Sequence, residues 1–252
     1  MDELHFMLSA DDTAIYAAYN SGDLDYIDTV PNDEISSLNG INPEFGILDN
    51  LGTYYIGFNI NDPIFDGKTE EQAAKMREAI SLLVDRQFIV ENVGQTGHIA
   101  VAESVQQDVA LLGINLEIKS EDWNVFLQDR KDGNFTIARE GWLADYNDPV
   151  NMLEIFTSDS GNNDMQLGKG TPVSSSPDWT AYNDLISQIR TTTDFAARVD
   201  LMHQAEDMLM NTWAVIPIYY YNDVYMQKSN VTGIYATVYG MKYFMYATKS
   251  AQ

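Results

Sequence analysis

The chain has 252 residues, enough for one large domain or two modest ones. Its 14 Lys+Arg stand against 38 Asp+Glu, a formal net charge of −24, which argues against nucleic acid as a partner because phosphate recognition needs basic clusters. Cysteine is absent, which excludes disulfides and thiolate chemistry and fits an exported protein without a redox requirement, while 45% hydrophobic residues suffice for a real core.

Leu4–Ser9 alternates weakly and reads as a strand. Asp11-Asp12 offers a cap for a short helix through Tyr19 that Gly22 closes. Leu24–Val30 reads as a second strand, and Pro31-Asn32-Asp33-Glu34 opens another helical turn. Leu51–Asn59, rich in aromatic and branched residues, reads as a strand. From Glu70 to Val93 the residues Ala73, Met76, Ala79, Ile80, Leu83 and Val84 recur at helical spacing, with Glu70 and Glu71 in the first turn. A helix over Ile99–Leu112 ends at Gly113 as a left-handed cap, and Ile114–Lys119 alternates as a strand. Trp123–Arg130 reads as a helix, Phe135–Leu143 as a strand and Pro149–Phe156 as a helix. Residues 157–178, rich in Ser, Gly, Asn and Asp, read as an ordered, exposed loop. Helices follow near Trp179–Thr191 and Asp194–Asn211, then a strand over Val215–Tyr221 and further strand pieces to Tyr246. This alternation indicates an α/β or α+β architecture.

No stretch approaches the roughly 20 apolar residues of a membrane span, and the opening Met1-Asp2-Glu3-Leu4 has neither a basic nor an apolar signal region. His5, His98 and His203 are isolated, so no zinc site is expected; His98 and His203 read as solvent-facing helix residues. Phosphate-loop, dinucleotide and nucleophile-elbow motifs are missing, and no cofactor is expected. Asp159-Ser160-Gly161-Asn162-Asn163-Asp164 lacks the spacing of a calcium loop and reads as a capped polar turn. A glycosidase-like carboxylate pair carries no signal in so acidic a chain. On these grounds alone the chain is an α/β domain that binds something.

Five segments go further. Leu51–Asn59 with Pro63-Ile64-Phe65-Asp66, then Arg77–Val93, Gly113–Arg130, Phe135–Pro149 with Phe156–Asp164, and Ile216–Tyr221 follow one another in a specific order. That order, and the motif Gly141-Trp142-Leu143-Ala144-Asp145-Tyr146-Asn147-Asp148-Pro149 above all, resembles the oligopeptide-binding, OppA-like solute-binding proteins of ABC importers, solute-binding protein family 5. The resemblance runs from about Asp12 to Tyr246. It implies an α/β, periplasmic-binding-protein-like (type II) lobe with a mixed sheet flanked by helices. Residues 1–50 would be a remnant of the first lobe with the hinge crossing, 51–224 the C-terminal peptide-binding lobe, and 225–252 a return segment toward the first lobe.

The implied function is capture of oligopeptides outside the cytoplasm, in the periplasm or lipid-anchored at the outer face of the membrane. Delivery would be to ABC permease subunits, and nothing would be catalysed. Asp145 matches the family aspartate that pairs with the peptide's α-ammonium; capping the helix after Pro149 is the alternative, though Asp148 is better placed for it. The strand 138–143, with Gly141 and Leu143, would add the peptide as a further strand. Trp142 and Trp123 each read either as a pocket wall or as core. Arg139 and Arg130 match family arginines near the ligand's carboxylate, with a plain surface position the alternative for Arg130, and His98 lies near a family histidine of that region.

The family also carries a large first lobe, and a long intervening segment near Gly94–His98 that is short here. The chain is therefore expected to be an excised, spliced or otherwise shortened form, with weak peptide affinity and an exposed inter-lobe face prone to dimerisation. Rival readings are a binding protein for another solute (a dipeptide, nickel chelate, haem or sugar), a glycosidase, or a structural fragment that binds no small molecule.

Overall fold

The computed structural model describes residues 3–93 and 97–251. The chain divides into two units, Met1–Gly52 with Tyr220–Gln252, and Thr53–Tyr219.

The first unit opens with α1 (Asp12–Ser21), where the Asp11 carboxylate accepts the Ala14 N–H at 3.1 Å and Gly22 closes the helix at φ 88°. Such a cap contributes about 1 kcal/mol. β1 (Tyr26–Ile27) pairs antiparallel with Gln227 and Met226 of the long β4 (Val215–Gln227). The strand expected over Leu24–Val30 shrinks to these two residues. Ile27 and Val30 are both buried, and a spacing of three cannot point to one face of a strand, so the chain leaves the ladder before Pro31 and enters α2 (Asn32–Leu38). Tyr19, Ile27, Val30, Leu38 and Met226 form this unit's core. At its border the Tyr19 hydroxyl donates to Glu44 at 2.8 Å, and the Lys228 ammonium lies 3.8 Å from the Tyr19 ring centroid.

The strand expected at Leu4–Ser9 does not form. Leu4, Phe6, Met7 and Leu8 are all exposed, so the alternation buries neither face, and Phe6 only meets Phe244 edge-on. After β4 come four two-residue strands, paired as β5 (Val231–Thr232) with β8 (Thr248–Lys249) and β6 (Tyr235–Ala236) with β7 (Lys242–Tyr243). Gly233 is required beside them: its φ is 80°, and a Cβ there would lie 2.1 Å from the Tyr246 carbonyl oxygen.

In the second unit, β2 (Phe45–Phe58) supplies its C-terminal residues and β4 its N-terminal ones. Thr69 and Gln72 form a reciprocal capping box that starts α3 (Glu70–Leu83). The helical pattern continues to Val93, but α3 stops at Leu83. Asp85 caps a new turn by accepting the Phe88 N–H at 2.9 Å, and Arg86 donates to the carbonyls of Ser81 at 3.0 Å and Pro217 at 2.7 Å. The single helix expected over 70–93 is thus α3, a short α4 (Arg86–Phe88) and a π-turn over Ile89–Val93. The junction noted at Gly94–His98 lies, for residues 94–96, outside the described residues.

α5 (His98–Ala110) ends with Leu111 as its cap, and Gly113 takes its left-handed turn two residues later, at φ 75°. The strand expected over Ile114–Lys119 is absent, since among the described residues no backbone–backbone hydrogen bond joins it to another segment. α6 (Trp123–Asp132) is capped by Asp122 and closed by Gly133, and β3 (Ile137–Leu143) follows. β2 lies between β4 and β3, which leaves β3 with one neighbouring strand among the described residues.

α7 (Val150–Glu154), α8 (Thr180–Thr191) and α9 (Phe195–Asn211) build the core with Leu153, Trp179, Tyr182, Ile186, Met202 and Leu209. Between α7 and α8 the polar stretch is a series of turns organised by fully buried Asn163. Its amide donates to Thr157 and Leu167 carbonyls and its oxygen accepts the Leu167 N–H. Among the described residues no helix is long and apolar enough to cross a membrane.

Candidate functional site

β3 positions most of the residues in question. The Thr136 carbonyl accepts the Asn59 N–H beyond the end of β2. Backbone groups alternate along a strand, so those of Ile137, Arg139, Gly141 and Leu143 point to the opposite, open edge. The Arg139 carbonyl is met there by the Arg130 guanidinium at 3.4 Å.

At the C-terminal end of this edge, Leu143 and Asp145 are exposed. A single buried side chain sets the geometry: the Asn151 oxygen accepts the Trp142 indole N–H at 3.0 Å and the Asp145 backbone N–H at 2.9 Å. Asn151 is 2% exposed on the first turn of α7, and its amide donates to Glu154 at 3.3 Å. Burial raises the Glu154 carboxyl, but hydrogen bonds from Tyr146 and Arg190 outweigh it and hold its pKa below the usual range. Asp148 is a cap, accepting the Val150 N–H at 3.0 Å and pairing with Arg198 at 2.8 Å. Trp142 packs partly buried against the core, while its N–H serves Asn151.

At the N-terminal end of β3 lies a cleft of about 260 Å³, and it brings together His98, Trp123 and Arg139. The Arg139 guanidinium sits 5.1 Å from the Tyr54 ring centroid, and the His98 ring stacks on the same tyrosine at 5.6 Å. His98 is exposed on α5, as expected, and its ring is also held against Tyr54. Partial burial and then the Arg139 charge lower its pKa, which favours the neutral imidazole. Trp123 is 54% exposed and touches Phe126, so it is a wall and not core.

Arg130 is not the plain surface position given above as the alternative: its side chain is 12% exposed and pairs with buried Glu140 and with Asp164, the latter at 3.3 Å. Burial pushes the Glu140 carboxyl up to about 8; Arg130 and Arg139 oppose this and Asp164 adds to it. Asp145, Trp142, Gly141 and Leu143 do not line the cleft, so the expected site residues fall into two groups joined by β3, with Arg130 sealed beside it. Sequence reasoning missed Asn151, Tyr54 and Glu140. A polar residue on the first turn of an apolar helix was the available signal for Asn151.

The sequence profile of the bacterial extracellular solute-binding proteins, family 5 Middle, matches residues 1–100 and 94–164. The dipeptide-binding protein DppE of Bacillus subtilis is 25% identical over 300 aligned residues, which take in 93% of this chain and 52% of the relative. The oligopeptide-binding protein OppA of the same organism is 32% identical over 148 residues, 58% of this chain and 26% of the relative. The periplasmic murein peptide-binding protein MppA of Escherichia coli is 22% identical over 288 residues, 88% of this chain and 50% of the relative. Among solved structures, the Haemophilus influenzae OppA complex with RPPGFSPFR superposes with a TM-score of 0.70 at 20% identity, covering 88% of this chain and 53% of that one. The substrate-binding domain of an oligopeptide ABC transporter from Bacillus anthracis gives 0.73 at 18% identity, covering 95% and 57%. These structures share the fold, that of a periplasmic binding protein, and the chain spans about half the length of DppE, of MppA and of these solved structures. The chain belongs to the bacterial extracellular solute-binding proteins, family 5.

Proposed function

We propose that this chain carries the peptide-capturing lobe of an extracytoplasmic solute-binding protein that serves an ABC importer and catalyses nothing. The observation that carries the reading is the exposed Asp145 carboxylate at the open end of β3, with its backbone anchored by buried Asn151. An extended peptide adds along the edge at Gly141 and Leu143, and its α-ammonium meets Asp145 in a charge-assisted hydrogen bond. Main-chain pairing is indifferent to side chains, which suits a binder of many sequences.

On this reading, unit Thr53–Tyr219 is the binding lobe, and the unit made of Met1–Gly52 and Tyr220–Gln252 belongs to the first lobe and the hinge crossing. Arg139, Trp123 and His98 serve the cargo's far end, whereas Arg130 acts through β3 by holding the Arg139 carbonyl. The names of these relatives, dipeptide-, oligopeptide- and murein peptide-binding, favour peptides over sugars, haem or chelated nickel.

An amide NMR titration with a free-amine tripeptide beside its N-acetylated twin tests this. Shifts clustered at Arg139–Asp145 with the free amine alone support it, with millimolar affinity expected for one lobe. Equal shifts with both peptides would sink the role of Asp145.

A further inference from the structure

The chain leaves the C-terminal end of β3 through Asp145, Asp148 and Glu154, carboxylates that repel one another when bare. Two of them are matched by arginines from other helices. Asp148 takes Arg198 of α9 through both oxygens, at 2.8 and 3.0 Å. Glu154 takes Arg190 of α8, whose Nη2 and Nε reach one oxygen at 2.8 and 3.3 Å. Its other oxygen accepts the Tyr146 hydroxyl at 2.6 Å and the Asn151 amide at 3.3 Å. Among the described residues no cation pairs with exposed Asp145.

Cations are scarce in this chain, 14 Lys+Arg against 38 Asp+Glu, so most carboxylates go without one. Two arginines nevertheless converge here from 36 and 50 residues away. Folding gains little from the first of them, because the Arg190 side chain is 53% exposed and solvent screens its pair. The effect on a bound cation is larger. Asn151 alone separates the two ends of the site: its oxygen accepts the Asp145 N–H and its amide donates to Glu154. A bare Glu154 therefore competes with Asp145 for any ammonium on a flexible side chain.

We propose that Arg190 and Arg198 are specificity-determining residues of the amine site. By occupying Glu154 and Asp148 they leave Asp145 as the one carboxylate of the three that an ammonium can take. The site then reads a single α-ammonium in one register and turns away a lysine side chain. Main-chain pairing along the β3 edge is the same at every residue, so a second acceptor permits the peptide to slip. The proposal rests on the amine-capturing role of Asp145.

The test is an amide NMR titration of the full chain at low ionic strength. Its probes are Ac-Lys-Ala-Ala, whose only ammonium is on the side chain, and Ac-Nle-Ala-Ala, the norleucine counterpart without one. Ala-Ala-Ala beside Ac-Ala-Ala-Ala reads the α-ammonium. The unaltered chain is expected to bind the lysine and norleucine peptides alike, within about twofold. Arg190→Gln raises the affinity for the lysine peptide over its counterpart by about threefold or more, with new shifts at Tyr146 and Glu154. Arg190→Lys keeps the charge and the original selectivity. Adding Glu154→Gln to Arg190→Gln removes the acceptor and cancels the gain. Arg198→Gln carries a like gain to Asp148, whether or not Arg190→Gln folds. Lys75→Gln, an equal loss of charge on α3, produces none. No gain in either arginine variant, with the free-amine preference of the unaltered chain intact, overturns this proposal alone. So does a gain that survives the double substitution or that Lys75→Gln equals. If the unaltered chain treats Ala-Ala-Ala and its acetylated twin alike, the reading of Asp145 falls and this proposal with it.

Discussion

The side-chain oxygen of Asn151 accepts the backbone N–H of Asp145 at 2.9 Å, and the same atom accepts the Trp142 indole N–H. One buried amide thereby fixes both the carboxylate proposed to meet the peptide amine and the tryptophan that ties β3 to the core. Asn151→Ala leaves two donors unpaired. A loss of about 1–3 kcal/mol in denaturant melts is expected, with weaker discrimination between free and acetylated peptides. Undiminished discrimination would show that Asp145 needs no such anchor.

Asp145 itself is exposed at the end of β3, and its carboxylate caps no helix. Asp145→Asn is expected to change stability by no more than about 0.5 kcal/mol while removing the preference for a free amine. A large drop in melting temperature would reveal a structural carboxylate instead.

Glu140 supplies a pH dependence. Its carboxyl is pushed from about 4.5 to about 8 in the folded chain, first by burial and then by Asp164, against the pull of Arg130 and Arg139. Asp164, also raised by burial, faces Arg130, Lys131 and Lys169. Between these values the folded state binds the extra proton, so the stability that goes with protonated Glu140 is full below about pH 4.5 and is lost as pH rises through about 8. Glu140→Gln removes the titration. Chemical melts from pH 5 to 9 should show a shallower decline in the variant, and parallel profiles would reject the assignment.

Arg77 is fully buried, donates from Nε to the Thr212 carbonyl at 2.8 Å and lies 5.0 Å from the Phe65 ring centroid. Burial depresses its pKa to about 10. Thr212 is followed by Trp213 in the left-handed region at φ 54°, a strained turn that passes α9 into β4. Arg77→Ala opens a cavity and frees that carbonyl, and a loss of about 3 kcal/mol or more is expected in urea melts of the whole chain. A change under about 1 kcal/mol would mean the turn is held by other contacts.

Much of the architecture was legible in the residues. The helix start at Asp12 was read from its cap at Asp11, and the starts read at Glu70 and Trp123 are capped in the structure by Thr69 and Asp122, because a cap is a local hydrogen bond between neighbours in sequence. The motif around Asp145 was equally visible, since the order and kind of its residues carried the resemblance. Strands fared differently. Ile114–Lys119 has the right alternation but no ladder among the described residues, because a strand exists only when another backbone lies beside it. The helical period through Val93 likewise could not foretell the break after Leu83, where Arg86 reaches a carbonyl at Pro217, far along the chain.

The sequence by itself determined the family, the alternation of helices and strands, and the candidate residues along Arg139–Asp145. Only the tertiary structure decided their roles. It sealed Arg130 between two buried carboxylates, set His98 and Arg139 on one tyrosine, and put Asn151 beneath Asp145. Caps and periodicity are contests among neighbours in the chain. Burial and ion pairing depend on which distant segments come to share a space from which water is excluded.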